Sequence, residues 1–214
     1  MNHADKSPAF LASRAGYDVW LVNSRGSAPS RHHITLDPDD KRDRHQYWDF
    51  DWEDMGQEDL PAIFNYIIKV TKQQKIAFIG HQEGTTQMFT ALDTHSDFFA
   101  EHLSIFIALS PVTQLSNTNS DLVKFSAQKM QILTESEVLF DTRELFGPKW
   151  QKDRGSVQFC NMLPLMCTVL DTYTEGFSPY DDKDRYVVYM THYPSGGPLR
   201  SLLHYAQNYQ QNRF

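Results

Sequence analysis

Apolar positions along the chain follow two textures. Up to about residue 112, short apolar runs alternate with amphipathic stretches; beyond Thr113 the pattern is helical with no strong strand signal. The first run, YDVWLV (Tyr17 to Val22), is rich in β-branched and aromatic residues and stops at Asn23-Ser24-Arg25-Gly26, so it predicts a strand. Ahead of it, Ser7-Pro8 followed by AFLASRAG predicts a short helix with proline at its start and Gly16 at its end. Ser27 to about Arg44 is a polar loop, too charged to pack. An acidic-aromatic stretch then leads into a helix in which Leu60, Ile63, Phe64, Ile67 and Ile68 share one face. KIAFIG (Lys75 to Gly80) reads as a second strand, Thr85 to Leu92 as the start of a helix, and LSIFIALSPV (Leu103 to Val112) as a third, buried strand.

Strand, helix, strand, helix, strand in that order implies right-handed crossovers and a parallel sheet with covered faces. The fold class expected is therefore α/β. After Thr113, DLVKFSAQKMQIL (121–133) and SVQFCNMLPLMCTVLDTY (156–173) predict helices. RYVVYM (185–190) reads as an extended segment or short strand, and PLRSLLHYAQNYQQ (198–211) as a last helix.

Composition narrows the functions. The net charge of -7 leaves no basic footprint for nucleic acid. No window approaches ~18 uninterrupted apolar residues, so a spanning helix is not expected. The first twenty residues lack a basic region followed by a long apolar one, which argues against a signal peptide and for the cell interior. Cys160 and Cys167 make no disulfide framework and read as reduced core thiols. His32-His33 and the acidic run Asp37 to Asp43 read as a solvated loop, because adjacent histidines diverge in regular structure and no His-x-x-x-His or Cys-x-x-Cys occurs. No metal and no cofactor are expected.

The chemistry turns on FIGHQEGTTQMF (Phe78 to Phe89). An apolar run enters a Gly-x-x-x-Gly turn and a helix follows, which is the outline of a nucleophile elbow, Gly-x-Ser-x-Gly. The central residue is Gln82, and a delocalised amide nitrogen does not attack esters. Gly80, His81, Gln82, Glu83 and Gly84 are thus a degenerate elbow, with the two glycines expected to serve its tight backbone. Trp20, Trp48 and Trp52 fit packing. Phe89, Met162, Leu163 and Met166 are candidates for an acyl groove.

Five segments in order resemble the acid lipase family of α/β-hydrolases, the gastric and lysosomal acid lipases and their relatives. They are AGYDVWLVNSRG (15–26), FDWEDMGQEDLPA (50–62), FIGHQEGTT (78–86), ALSPV (108–112) and THYPSGGPLRSLLHYAQ (191–207). The resemblance implies a partial α/β-hydrolase fold: a core segment over 1–112, a helical, lid-like cap over 113–190, and a return helix toward the core over 191–214. It places Gln82 where the family has its nucleophilic serine. It makes His81 a scaffold position and aligns His204 with a cap-end histidine that is not the triad base. A family oxyanion loop would precede Ser7, and the triad aspartate and histidine would follow His204; neither falls within these residues. The resemblance also implies a secreted or lysosomal setting, at odds with the reading of the N-terminus.

Three functions follow as expectations: an inactive homologue with a structural or binding role in a larger assembly, an active lipase or ester hydrolase in lipid metabolism if the chain is incomplete or variant, and a lipid-binding module. A three-stranded sheet with both edges open calls for a protein partner to cover them.

Overall fold

The computed structural model describes residues 3–118, 120–147, 162, 188–189, 192 and 195–214. The chain divides into two compact units. One comprises Met1–His32, Ser120–Leu122 and Glu144–Gly197; the other comprises His33–Asn119, Val123–Arg143 and Pro198–Phe214.

In the first unit, α1 (Pro8–Arg14) starts at proline as predicted and closes where the Ala15 amide donates to the Leu11 carbonyl. Gly16 follows at φ +93, in open space, so its glycine is required by conformation and not by crowding. Tyr17 to Val22, predicted as a strand, is not one: Tyr17 is 71% exposed and Leu21 77%. β-propensity expresses itself when a half-buried pleated surface receives the side chains, and among the described residues no strand pairs with this segment. Among the described residues of this unit, Arg31 is a fastener: its Nε and Nη2 donate to Glu144 Oε1 and Oε2 at 3.0 and 2.8 Å. Both side chains are mostly buried, and the bidentate fork is the strong form of such a pair.

The second unit carries the predicted sheet. It begins with a short helix α2 (Arg44–Tyr47) and an aromatic cluster of Tyr47, Trp48 and Phe50 with Met55. Next come α3 (Trp52–Asp54), a π turn (Met55–Asp59) and α4 (Leu60–Thr71), one continuous helical run. The π turn has a cause in sequence. Pro61 has no N–H for the carbonyl four residues back, that of Gln57. His95 takes that carbonyl instead, with Nε2 3.0 Å away, and since a carbonyl only accepts, Nε2 must carry the proton. Gly56 lets the widened turn lie against the next helix, because a Cβ there would come 2.5 Å from the Gln87 carbonyl oxygen.

Strand β1 (Ile76–His81) leads through Gln82 into α5 (Glu83–Thr94), then α6 (Ser96–His102) and β2 (Leu103–Leu109). The two strands pair in parallel from Ile76↔Leu103 to His81↔Leu109, with a bulge at Ser104. Among the described residues they form a two-stranded sheet, not the three-stranded one expected, and Tyr17 to Val22 is not a strand. One face of the sheet meets the core of Leu60, Phe64, Met88, Ala91 and Phe99, as the predicted α4 face requires. The other face presents Ile79, Ile105, Ile107 and Leu109, all between 39% and 54% exposed.

The predicted 121–133 helix is two: α7 (Asp121–Gln128) and α8 (Met130–Phe140), broken at Lys129, whose ψ of 16° leaves the helical range. Two-residue strands β3 (Glu144–Leu145) and β4 (Gly197–Pro198) pair, and the last helix runs Leu199–Gln211 as predicted. Val188 and Tyr189 are helical, not extended. The 156–173 helix, apart from Met162, and both cysteines lie outside the described residues. Among the described residues no helix is long and apolar enough to cross a membrane.

Candidate functional site

The turn between β1 and α5 has the strain that an elbow needs. Gln82 sits at φ 48, ψ -117, a conformation that ordinary residues avoid and that persists only where its surroundings impose it. Those surroundings are visible. The Gln82 amide donates to the Leu109 carbonyl at 3.1 Å, tying the turn to the end of β2. Its carbonyl accepts from the Thr85 amide at 2.9 Å and from Thr85 Oγ1 at 2.6 Å. Thr85 Oγ1 in turn accepts from the Val112 amide, and Thr86 Oγ1 donates to the Val112 carbonyl. Both threonine side chains are buried, so the Thr-Thr pair clamps the elbow to the loop after β2.

The two glycines have different roles. A Cβ on Gly80 would lie 2.7 Å from the Gly84 carbonyl oxygen, so that position needs glycine. Gly84 has nothing within 4 Å of its own virtual Cβ, which corrects the expectation that the turn's tight backbone needs both glycines. Gln82 is exposed, and its side chain does not cap α5. His81 is exposed at the end of β1, paired in register with Leu109.

Glu83 opens α5 with a half-buried side chain. Desolvation pushes its carboxyl up to about 7; the Gln87 amide, donating to Oε1 at 3.3 Å, works against that rise, and the nearby Asp51 charge adds to it. Tyr205, from the last helix, donates to Thr86 Oγ1 at 3.2 Å, and burial raises its phenol.

A second constellation stands at the start of α3. Asp51 caps that helix by accepting the Glu53 amide at 2.7 Å, in a reciprocal capping box with Asp54. Its other oxygen is 3.0 Å from His204 Nδ1. The His204 ring stacks on Trp52 at 4.0 Å, and Tyr205 and Phe214 stack on the same indole. His204 is thus a hydrogen-bonded, stacked histidine. Asp51, Glu53 and His204 bring ligand-type atoms within 4.8 Å of one another, a grouping that sequence reasoning missed because 153 residues separate its ends. Each of the three is already engaged: Asp51 by the cap and His204, and Glu53 by the Gln57 amide at 3.0 Å. A helix cap with an aromatic buttress accounts for the arrangement. His33, from the loop considered for metal, accepts the Thr35 and Leu36 amides on Nδ1 and organises its own turn.

Of the candidate groove residues, Phe89 packs edge-on against Phe106 and Phe214 at 5.2 and 6.3 Å. Met162 is exposed, and Leu163 and Met166 lie outside the described residues.

Comparison with known proteins gives this geometry its context. The alpha/beta hydrolase fold family matches residues 6–214. The chain is 35% identical over 210 residues to lipase member K of Homo sapiens, covering 96% of this chain and 50% of that protein. It is 32% identical over 216 residues to lipase member N of Homo sapiens, covering 100% of this chain and 52% of the relative. To gastric triacylglycerol lipase of Rattus norvegicus it is again 32% identical over 216 residues, at 100% and 53%. The chain therefore spans about half the length of the curated relatives it matches. A strained strand-to-helix elbow beside a parallel strand pair, within a match that runs nearly from end to end, makes this chain a member of the α/β-hydrolase fold family, similar to the acid lipases.

Proposed function

We propose that the chain is a catalytically silent acid-lipase homologue, serving as a structural or binding module within a larger protein assembly. The observation that carries this reading is Gln82 on the elbow. The backbone there keeps the geometry that exposes a nucleophile, while the residue offered has none. In a serine hydrolase the hydroxyl attacks because a histidine takes its proton, and loss of the serine costs ~10⁶ in turnover. The assembly half of the proposal is supported by the partly exposed outer face of the sheet. Parallel sheets are ordinarily covered on both faces, and Ile79, Ile105, Ile107 and Leu109 form a contiguous aliphatic surface of the kind that protein partners cover.

Rescue of the nucleophile tests this reading. Gln82→Ser restores the elbow motif, and the proposal expects ester turnover to rise by less than about tenfold, or ~1.4 kcal/mol in the barrier. A larger rise would favour the second reading, an active ester hydrolase of lipid metabolism of which this chain is a part or a variant. The strained elbow and the half-length match to lipases are what keep that reading in play. His204 would then be the first residue to replace. A lipid-binding role built on Phe89 and the cap would be marked by lipid carried through purification.

A further inference from the structure

The hydrogen bonds that pin Gln82 do not end at the loop after β2. Tyr205, on the last helix, donates its hydroxyl proton to Thr86 Oγ1 at 3.2 Å. Thr86 Oγ1 donates in turn to the Val112 carbonyl at 2.7 Å. The Val112 amide donates to Thr85 Oγ1 at 3.0 Å, and Thr85 Oγ1 donates to the Gln82 carbonyl at 2.6 Å. Donor and acceptor roles agree at every link, so each threonine hydroxyl accepts once and donates once along one direction, from Tyr205 to Gln82. Both threonines are fully buried, so a partner lost at either is not replaced by bulk water. The far end of the chain is anchored separately: the Tyr205 ring stacks on Trp52 beside His204, whose Nδ1 lies 3.0 Å from Asp51.

We propose that the last helix is a restraint on the elbow: seated, it holds Gln82 in its strained conformation through Tyr205, Thr86, Val112 and Thr85, and displaced, it lets the turn relax. A backbone at φ 48, ψ -117 lasts only where its surroundings over-determine it, and this chain is a named part of those surroundings. Without the Tyr205 hydroxyl, the Thr86 oxygen loses its donor, and the bond it makes to Val112 loses the polarisation that a linked donor supplies. Val112 is the tether that Thr85 shares with the turn, so slack there reaches the Gln82 carbonyl. A partner that draws the last helix off Trp52 would therefore reshape the surface on which His81 and Gln82 are exposed without touching it. The restraint acts on backbone geometry, so it stands whether or not the elbow performs chemistry.

Amide hydrogen exchange of the full chain, resolved by residue at one pH, tests the restraint. Tyr205→Phe removes the hydroxyl and keeps the ring on Trp52. It should speed exchange of the Gln82, Thr85 and Val112 amides by about three- to tenfold relative to amides of α4, the effect of one hydrogen bond on a local opening. Thr86→Val, which keeps the shape of threonine, should speed the same amides at least as much, and Thr86→Ser, which keeps the hydroxyl, should leave them protected. The double variant Tyr205→Phe with Thr86→Val should exchange no faster than Thr86→Val alone, because the tyrosine then has no acceptor to lose. Tyr205→Phe decides the matter by itself should Thr86→Val fail to fold. Elbow amides unchanged in Tyr205→Phe would overturn the proposal and leave the threonine clamp a local feature. An equal rise at α4 would overturn it too, as a loss of global stability, and so would additive effects in the double variant.

Discussion

The α-carbon of Gly80 faces the carbonyl of Gly84 so closely that a methyl group on it would sit 2.7 Å from that oxygen, whereas Gly84 itself has open space. The two glycines of the elbow motif are therefore not equivalent. Gly80→Ala must push the start of α5 away from β1, and overpacking of this kind costs about 1–3 kcal/mol. Gly84→Ala places a better helix former in the first turn of α5 and should be neutral or stabilising by about 0.5–1 kcal/mol. Denaturant midpoints of the two variants, measured side by side, check this. Equal losses at both positions would mean that the elbow's backbone is not held as described.

The pair formed by Asp51 and His204 gives a second contrast. Asp51→Ala removes both the cap of α3 and the partner of the histidine, with an expected loss of roughly 2 kcal/mol from the two together. Asp51→Asn keeps an oxygen for the Glu53 amide, since asparagine caps as well as aspartate, and should lose less than half as much. Thermal or chemical unfolding of the two variants at pH 7 distinguishes a capping role from a purely electrostatic one.

Glu83 makes stability depend on pH in a stated direction. Its folded-state carboxyl is raised from 4.5 to about 7, so the folded protein holds this proton more tightly than the unfolded chain. Below 4.5 both states are protonated and there is no penalty. As pH rises from there through 7 the unfolded chain releases the proton first, and stability falls. Glu83→Gln should therefore gain about 1–3 kcal/mol over the wild type at pH 8 and nothing at pH 4. A constant difference across that range would contradict the assignment.

Much of the second unit was legible in sequence, because its apolar periods are strong. Leu60, Phe64 and Ile67 at helical spacing marked α4, and the runs at 76–79 and 103–109 marked the paired strands. Tyr17 to Val22 carries an equally good strand pattern and forms none, since pattern states what a segment would bury and not whether a surface is there to receive it. The π turn was foreshadowed by Pro61, four residues after Gln57, but the answering donor, His95, lies 38 residues beyond that carbonyl. The elbow could be read from its glycines, whereas the clamp supplied by Thr85 and Thr86 needed Val112 in view. The Asp51–His204 contact joins two segments that no local spacing relates.

The exposed sheet face carries a prediction about company. Four aliphatic residues on one face, and a sheet of two strands with open outer edges among the described residues, should make the isolated chain aggregate or melt broadly. Isolated from its source, the protein should elute with a larger complex. Replacing Ile105 and Ile107 together by threonine should weaken that association while leaving the core-facing side chains of β2, Leu103 and Phe106, unchanged. A monodisperse monomer with a sharp transition would show that the face needs no partner.

The catalytic silence proposed for Gln82 is open to test by covalent labelling. The purified protein is exposed to a serine-directed phosphonate in excess and its intact mass is measured, with hydrolysis of short-chain and long-chain esters followed in the same preparation. The account predicts no mass shift and no turnover above a buffer blank. Stoichiometric addition of one phosphonyl group, at any residue, would contradict it.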